Sequence, residues 1–154
     1  MAEIEKSIDI KAPLREVYNQ WTQFEEFPRF MEGVEEVRQL DDKRLYWRAK
    51  IAGKEKQWHA EITDQTPDRR IAWKHLDGPY NAGAVLFDRI PEGTRVTLKL
   101  VYDPEGVTES VGDALGFVSR RVQGDLEGFE RYIEERGIAT GGWRGEIHGE
   151  QVRK

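Results

Sequence analysis

Three side chains in this sequence have the type and spacing to do chemistry inside a protein. His75 follows Ile71 and Trp73 with a period of two, which puts all three on one face of a strand. A neutral imidazole on that face donates to a ligand carbonyl or acts as a general base. Tyr102 follows Leu100 in phase and presents a hydroxyl at the edge of the same face. Arg121 lies beside Val118 and Val122 in a helical pattern, within reach of a carbonyl or carboxylate. Each has a plainer alternative. His75 ends its strand in solvent or satisfies a core hydrogen bond, Tyr102 packs at the core edge, and Arg121 joins a surface ion pair. No two carboxylates fall in phase on the inward faces, so two-acid chemistry is not signalled.

Other chemistries leave no mark. The 154 residues include no cysteine, which excludes disulfides, thiolate metal sites and cysteine nucleophiles. His59, His75 and His148 lack metal-ligand spacing. Gly78 and Gly83 have P-loop spacing, but Ala84 stands where the lysine belongs. Ser7, Ser110 and Ser119 sit in no nucleophile elbow, and no dinucleotide fingerprint occurs. No cofactor and no metal are expected. A net charge of -5 argues against nucleic acid as a partner. Lys54, Lys56, Arg69, Arg70 and Lys74 form a basic cluster, read as a solvated face, with peripheral contact to an anionic membrane as the alternative. No apolar run approaches the ~20 residues of a transmembrane helix. The charged start Met1-Ala2-Glu3-Ile4-Glu5-Lys6 is unlike a signal peptide, so a cytoplasmic location is expected.

The elements that must position these residues follow from the hydrophobic pattern. Only 38% of residues are hydrophobic, yet five are Trp, five Tyr and six Phe, so apolar content is concentrated in large rings. Ile4 to Ile10 alternates as a strand. Two short helices fit near 14–21 and 24–31, the second interrupted by Pro28. From 33 to 102 short alternating runs are separated by turns such as Asp41-Asp42-Lys43, Ala52-Gly53 and Pro91-Glu92-Gly93, the pattern of an antiparallel meander. Trp47, Trp58 and Trp73 fall on three successive strands, inward by alternation. They either fill the core as a cross-strand ladder or line a flat slot for an aromatic or quinonoid ligand. A long helix is predicted from about Thr108 to Arg136, with Val111, Leu115, Val118, Val122, Leu126, Phe129 and Ile133 along one stripe. That stripe must bury against the apolar sheet face. Residues 137–154, rich in glycine and charge, are expected as a flexible tail after a 1–136 domain, with Trp143 unexplained.

The runs Trp47-Arg48-Ala49-Lys50-Ile51-Ala52-Gly53, Trp58-His59-Ala60-Glu61-Ile62 and Pro67-Asp68-Arg69-Arg70-Ile71-Ala72-Trp73 resemble the polyketide cyclase/dehydrase group of the START-like (Bet v 1-like, SRPBCC) superfamily. That group is close to the coenzyme Q-binding START-domain proteins. Ile10-Lys11-Ala12-Pro13-Leu14, Asn81-Ala82-Gly83-Ala84-Val85-Leu86-Phe87 and Gly93-Thr94-Arg95-Val96-Thr97-Leu98 are similar to its other segments. The resemblance implies an α+β helix-grip fold. In it a seven-stranded antiparallel sheet curves around a long C-terminal helix, with two short helices closing one end.

Such a fold leaves a ligand cavity between helix and sheet, and the expected partner is a small apolar or amphipathic molecule. The predicted lining is Trp47, Trp58, Trp73, His75, Val85, Phe87, Leu98, Leu100, Leu115, Val118 and Val122. Two alternatives stand beside this reading. One is an aromatase or cyclase using His75, Tyr102 or Arg121. The other is a toxin-like or membrane-associated interaction module.

Overall fold

The computed structural model describes residues 2–51, 53–103 and 111–154, with side chains from residue 116 onward in the last stretch. β1 (Ala2–Ile10) is followed by α1 (Leu14–Trp21) and a 3-10 helix (Phe24–Arg29). Pro13 caps α1, where its missing N–H costs nothing. α1 ends at Trp21, and Pro28 lies inside the separate 3-10 helix that follows. Then come β2 (Val34–Gln39), β3 (Arg44–Ile51), β4 (Lys54–Thr66), β5 (Arg70–His75), β6 (Asn81–Ile90) and β7 (Gly93–Tyr102). The long helix is α2 (Val111–Arg136). Thr108, the expected N-cap, lies outside the described residues.

The predicted seven-stranded path is present, antiparallel throughout, in the order β1-β7-β6-β5-β4-β3-β2. Register shifts in β4 between Ile62 and Asp64, and in β2 between Val34 and Glu36, mark bulges. Bulges bend a strand and sharpen its twist, which curves the sheet toward α2. Leu126, Phe129 and Ile133 of α2 are wholly buried, and Val122 nearly so. Glu127, Arg131, Glu134 and Glu135 on the opposite face are exposed. The Trp21 ring meets Phe129 edge-on at 4.8 Å, and Tyr18 meets Phe87 at 5.2 Å. Thus α1 closes this end of the interior with large rings in the favoured T-shaped arrangement. Among the described residues no helix is long and apolar enough to cross a membrane.

The segment 137–154 corrects the expectation of a flexible tail. It forms a strap carrying two further strands, β8 (Glu146–His148) and β9 (Gln151–Arg153), so among the described residues the sheet has nine strands rather than seven. β8 pairs with β4 at Gln65↔Ile147 and Asp64↔His148, and β9 pairs with β8. Thr140 and Gln20 exchange two hydrogen bonds, of 2.8 and 3.0 Å. The Arg144 guanidinium donates to Asn19 Oδ1 at 2.7 Å, meets Asp68 Oδ2 at 2.6 Å and lies 5.5 Å over the Tyr18 ring. Trp143 donates its backbone N–H to Thr22 Oγ1 and packs its ring on the core. Three of the strap's glycines, Gly141, Gly142 and Gly145, serve close approach rather than flexibility. A Cβ at Gly142 would fall 2.8 Å from Asn19 Cγ, and one at Gly145 would fall 2.5 Å from the Trp143 ring.

Ile147 has no solvent exposure and seals this strap to the core. Ile147→Ala is expected to lower stability by about 2–5 kcal/mol in urea unfolding. A midpoint unchanged from the parent protein would mean that the strap is not bound.

Candidate functional site

Register brings the predicted rings together. Trp47 on β3 is directly opposite Trp58 on β4, and Ala60 is opposite His75 on β5. Trp58 and His75 are therefore diagonal neighbours on one sheet face. Their rings stand in a stacked row. Trp47 and Trp58 are 5.8 Å apart with planes 12° from parallel, and Trp58 and His75 are 5.2 Å apart at 22°. Phe27 of the 3-10 helix closes the other end of the row, 5.6 Å from Trp47. Trp73 lies opposite Ile62 on one side and Gly83 on the other. Its ring covers Gly83 so closely that a Cβ there would fall 2.6 Å from Trp73 Cζ2.

The predicted lining divides into two groups. Val85, Phe87, Leu98 and Val122 are buried within the continuous core and fill it. Trp47, Trp58, Trp73, His75, Leu100 and Val118 are only half-buried. The side chain of Leu115 lies outside the described residues. Two surface grooves lie elsewhere. One, of about 430 Å³, runs between Phe30 and Tyr132, and the other, of about 450 Å³, runs between Pro13 and Pro91. Neither includes a sequence-predicted site residue.

The three polar candidates have different surroundings. Burial holds the His75 pKa down to about 4, against the opposing pull of Asp77, so the imidazole is neutral at pH 7. Tyr102 is buried beside Ala2, Ile4, Leu100 and Val118, and its hydroxyl has no partner among the described residues. Burial raises its pKa. Arg121 is engaged structurally rather than as the surface ion pair given as its alternative. Its guanidinium donates to the carbonyl oxygens of Glu32 and Lys50, which clamps α2 to the edge formed by β2 and β3.

Two groups escaped the sequence reading. Asp125 lies one turn beyond Arg121, and burial pushes its pKa up to about 7, with Arg121 pulling down and Glu32 pushing up. Its i, i+4 spacing from Arg121 was the available signal. Asn81 pairs with Tyr102 across β6 and β7, in phase with Gly83, Val85 and Phe87. Its signal was this alternation, obscured by the adjacent turn Asp77-Gly78-Pro79.

Outside the interior, His59 is paired with Asp77 at 2.9 Å, and His148 contacts Asp64 and Glu146. Among the described residues no group of three side chains is arranged to hold a metal ion. Of the basic cluster, Arg70 pairs with Asp64 at 3.3 Å, and Lys54, Lys56, Arg69 and Lys74 are exposed.

A curved antiparallel sheet with a long C-terminal helix, closed at one end by two short helices, is a helix-grip α+β fold. Residues 10–129 match the family described as polyketide cyclase / dehydrase and lipid transport, and this chain belongs to that family. The strap lies beyond the matched stretch. An uncharacterized 17.2 kDa protein of Streptomyces lincolnensis, from the melC2-rnhH intergenic region, is 48% identical over 149 residues. The match covers 96% of this chain and 99% of that relative. A START superfamily protein from Mycobacterium smegmatis superposes with a TM-score of 0.78 at 11% identity, covering 87% of this chain and 98% of the other. The Zhui aromatase/cyclase from Streptomyces sp. R1128 superposes with a TM-score of 0.74 at 18% identity, covering 92% and 99%. At these identities the two structures speak for the fold alone.

Two outcomes follow from the buried polar groups. Folded Asp125 retains a proton that the unfolded chain releases, so stability falls as pH rises from about 4 to about 7. Asp125→Asn removes that loss. By calorimetry its gain in Tm over the parent is expected to be larger at pH 8 than at pH 4.5, and equal gains would contradict the assignment. The unpartnered Tyr102 hydroxyl carries a burial cost of about 1–3 kcal/mol. Tyr102→Phe is therefore expected to raise the Tm of the ligand-free protein, and a lowered Tm would show that the hydroxyl is already bonded.

Proposed function

We propose that this protein binds a small hydrophobic or amphipathic molecule of lipid, quinone or polyketide-like character between the sheet and the first half of α2. One observation carries the reading. The row Trp47–Trp58–His75, together with Trp73, stays half-buried in a protein that buries Phe87 and Phe129 almost completely. Exposed apolar area forgoes about 25 cal/mol per Å² of stabilisation. A bound apolar molecule recovers it, which is a driving force for binding that needs no charge. Membership in a family that includes lipid transport supports the same reading.

A cyclase-type enzyme is the second reading, favoured by the neutral His75 imidazole and the unpartnered Tyr102 hydroxyl. Arg121 has no free role in it, being committed to two carbonyl oxygens. His75→Ala that binds ligand normally and loses turnover of an identified substrate would favour this reading over simple carriage.

Nile red, an uncharged dye whose emission rises in apolar surroundings, tests the binding reading. Saturable one-to-one binding is expected, with energy transfer from tryptophan. Trp58→Ala is expected to change its Kd at least about fivefold, on the scale of one aromatic contact. Absence of saturable binding to the folded protein would overturn the proposal.

A further inference from the structure

Three polar side chains meet at the end of the sheet where the stacked rings stop. Tyr102 and Asn81 are direct partners across β7 and β6. The β5–β6 ladder is paired up to Lys74↔Ala82, so His75 stands one position further on, level with Asn81. All three alternate in phase with the buried row Ile71, Val85 and Leu98, and so belong to the inward face. Directly paired inward side chains on adjacent strands have Cβ atoms about 4.5–5.5 Å apart. That spacing lets neighbouring groups share one ligand atom or bind two adjacent ones.

These groups are unspent. The Tyr102 hydroxyl is buried without a partner. Among the described residues, no side chain or backbone group hydrogen-bonds the His75 ring or the Asn81 amide. A buried polar group is normally satisfied, so the orphaned Tyr102 hydroxyl, beside the half-buried His75 and Asn81 on the same face, marks a place where a ligand completes the bonding. The row also carries no charge. The inward-phase cation on the adjoining strand, Lys6, lies opposite Leu98, two inward positions along β7 from Tyr102. Lys56, in phase on β4 beyond Trp58, is exposed.

We propose that His75, Asn81 and Tyr102 form a hydrogen-bonding row that selects an uncharged ligand bearing a hydroxyl or carbonyl oxygen, held against the Trp58 end of the aromatic stack. The inference rests on the binding reading above and narrows it to a chemical class. Imidazole and amide each both donate and accept, and the phenol adds a third group of the same kind, so either oxygen function is served. A carboxylate or phosphate head is disfavoured, because it would lose its hydration beside groups that offer no countercharge.

Equilibrium dialysis with 1-naphthol, naphthalene and 1-naphthoate at pH 7 tests the row, because the three share one ring system and differ only in the polar function. Binding of 1-naphthol is expected to be about tenfold tighter than that of either of the others, the sum of two or three modest hydrogen bonds. Tyr102→Phe and Asn81→Leu are each expected to weaken 1-naphthol about three- to tenfold and to leave naphthalene within about twofold. Tyr102→Phe removes a single oxygen atom, so it keeps the test decisive should Asn81→Leu fold poorly. Equal retention of naphthol and naphthalene, or tightest retention of naphthoate, overturns the row while saturable Nile red binding leaves the broader reading standing. Failure of Nile red and all three naphthalenes to bind overturns both.

Discussion

Burial of one end of α2 sets the geometry of everything else. Leu126, Phe129 and Ile133 are sealed between the sheet, α1 and the 3-10 helix, with Trp21 and Phe30 packed against Phe129. A strongly twisted sheet cannot stay equally close to a helix along its whole length. Just before this buried stretch, Arg121 ties α2 to the carbonyls of Glu32 and Lys50 at the sheet edge. One turn further toward the N-terminus, Val118 is half-buried and packs beside Ala2, Ile4 and Tyr102.

The same constraint governs the electrostatics. Burial penalises whichever form of a group is charged. It pushes His75 down and Asp125 up, and both groups lose charge by it. His75 is thus uncharged near neutral pH and Asp125 about half so, while ion pairs gather at the outer surface. Arg48, for example, meets Glu35, Glu36 and Glu55 there. This division also accounts for the composition. A low hydrophobic fraction and a high ring count coexist because one sheet face carries the large rings and the other carries the ions.

Most of the fold was legible because alternation is a strict signal. Trp47, Trp58 and Trp73 fall inward by parity alone, and the pairing of Trp47 with Trp58 turns that parity into contact, while Trp73 lies over Gly83. The stripe on α2 was legible for the same reason, at a period of 3.6. Parity does not report depth, which is why Val85 and Phe87 were grouped with Trp58 although they lie in solid core. Asn81 is hidden by a neighbouring turn, and spacing along the helix singles out Arg121 without naming its partners, the distant carbonyls of Glu32 and Lys50. The strap was misread because glycine and charge usually mean solvent. Here Gly142 and Gly145 admit Asn19 and Trp143, and Arg144 finds Asp68 nearly eighty positions away along the chain.

The strap also has a consequence in time. Asp64 and His148 are 84 positions apart, so β8 closes on a strand synthesised long before it. Closing a loop of that length is entropically slow, and long-range strand pairing retards folding generally. During translation the free flank of β4 at Asp64 and Gln65 stays open, and so does the Tyr18 ring that Arg144 later covers. The nascent chain thus passes through a stage with an unpaired strand edge, the kind of surface that chaperones hold and that aggregation exploits.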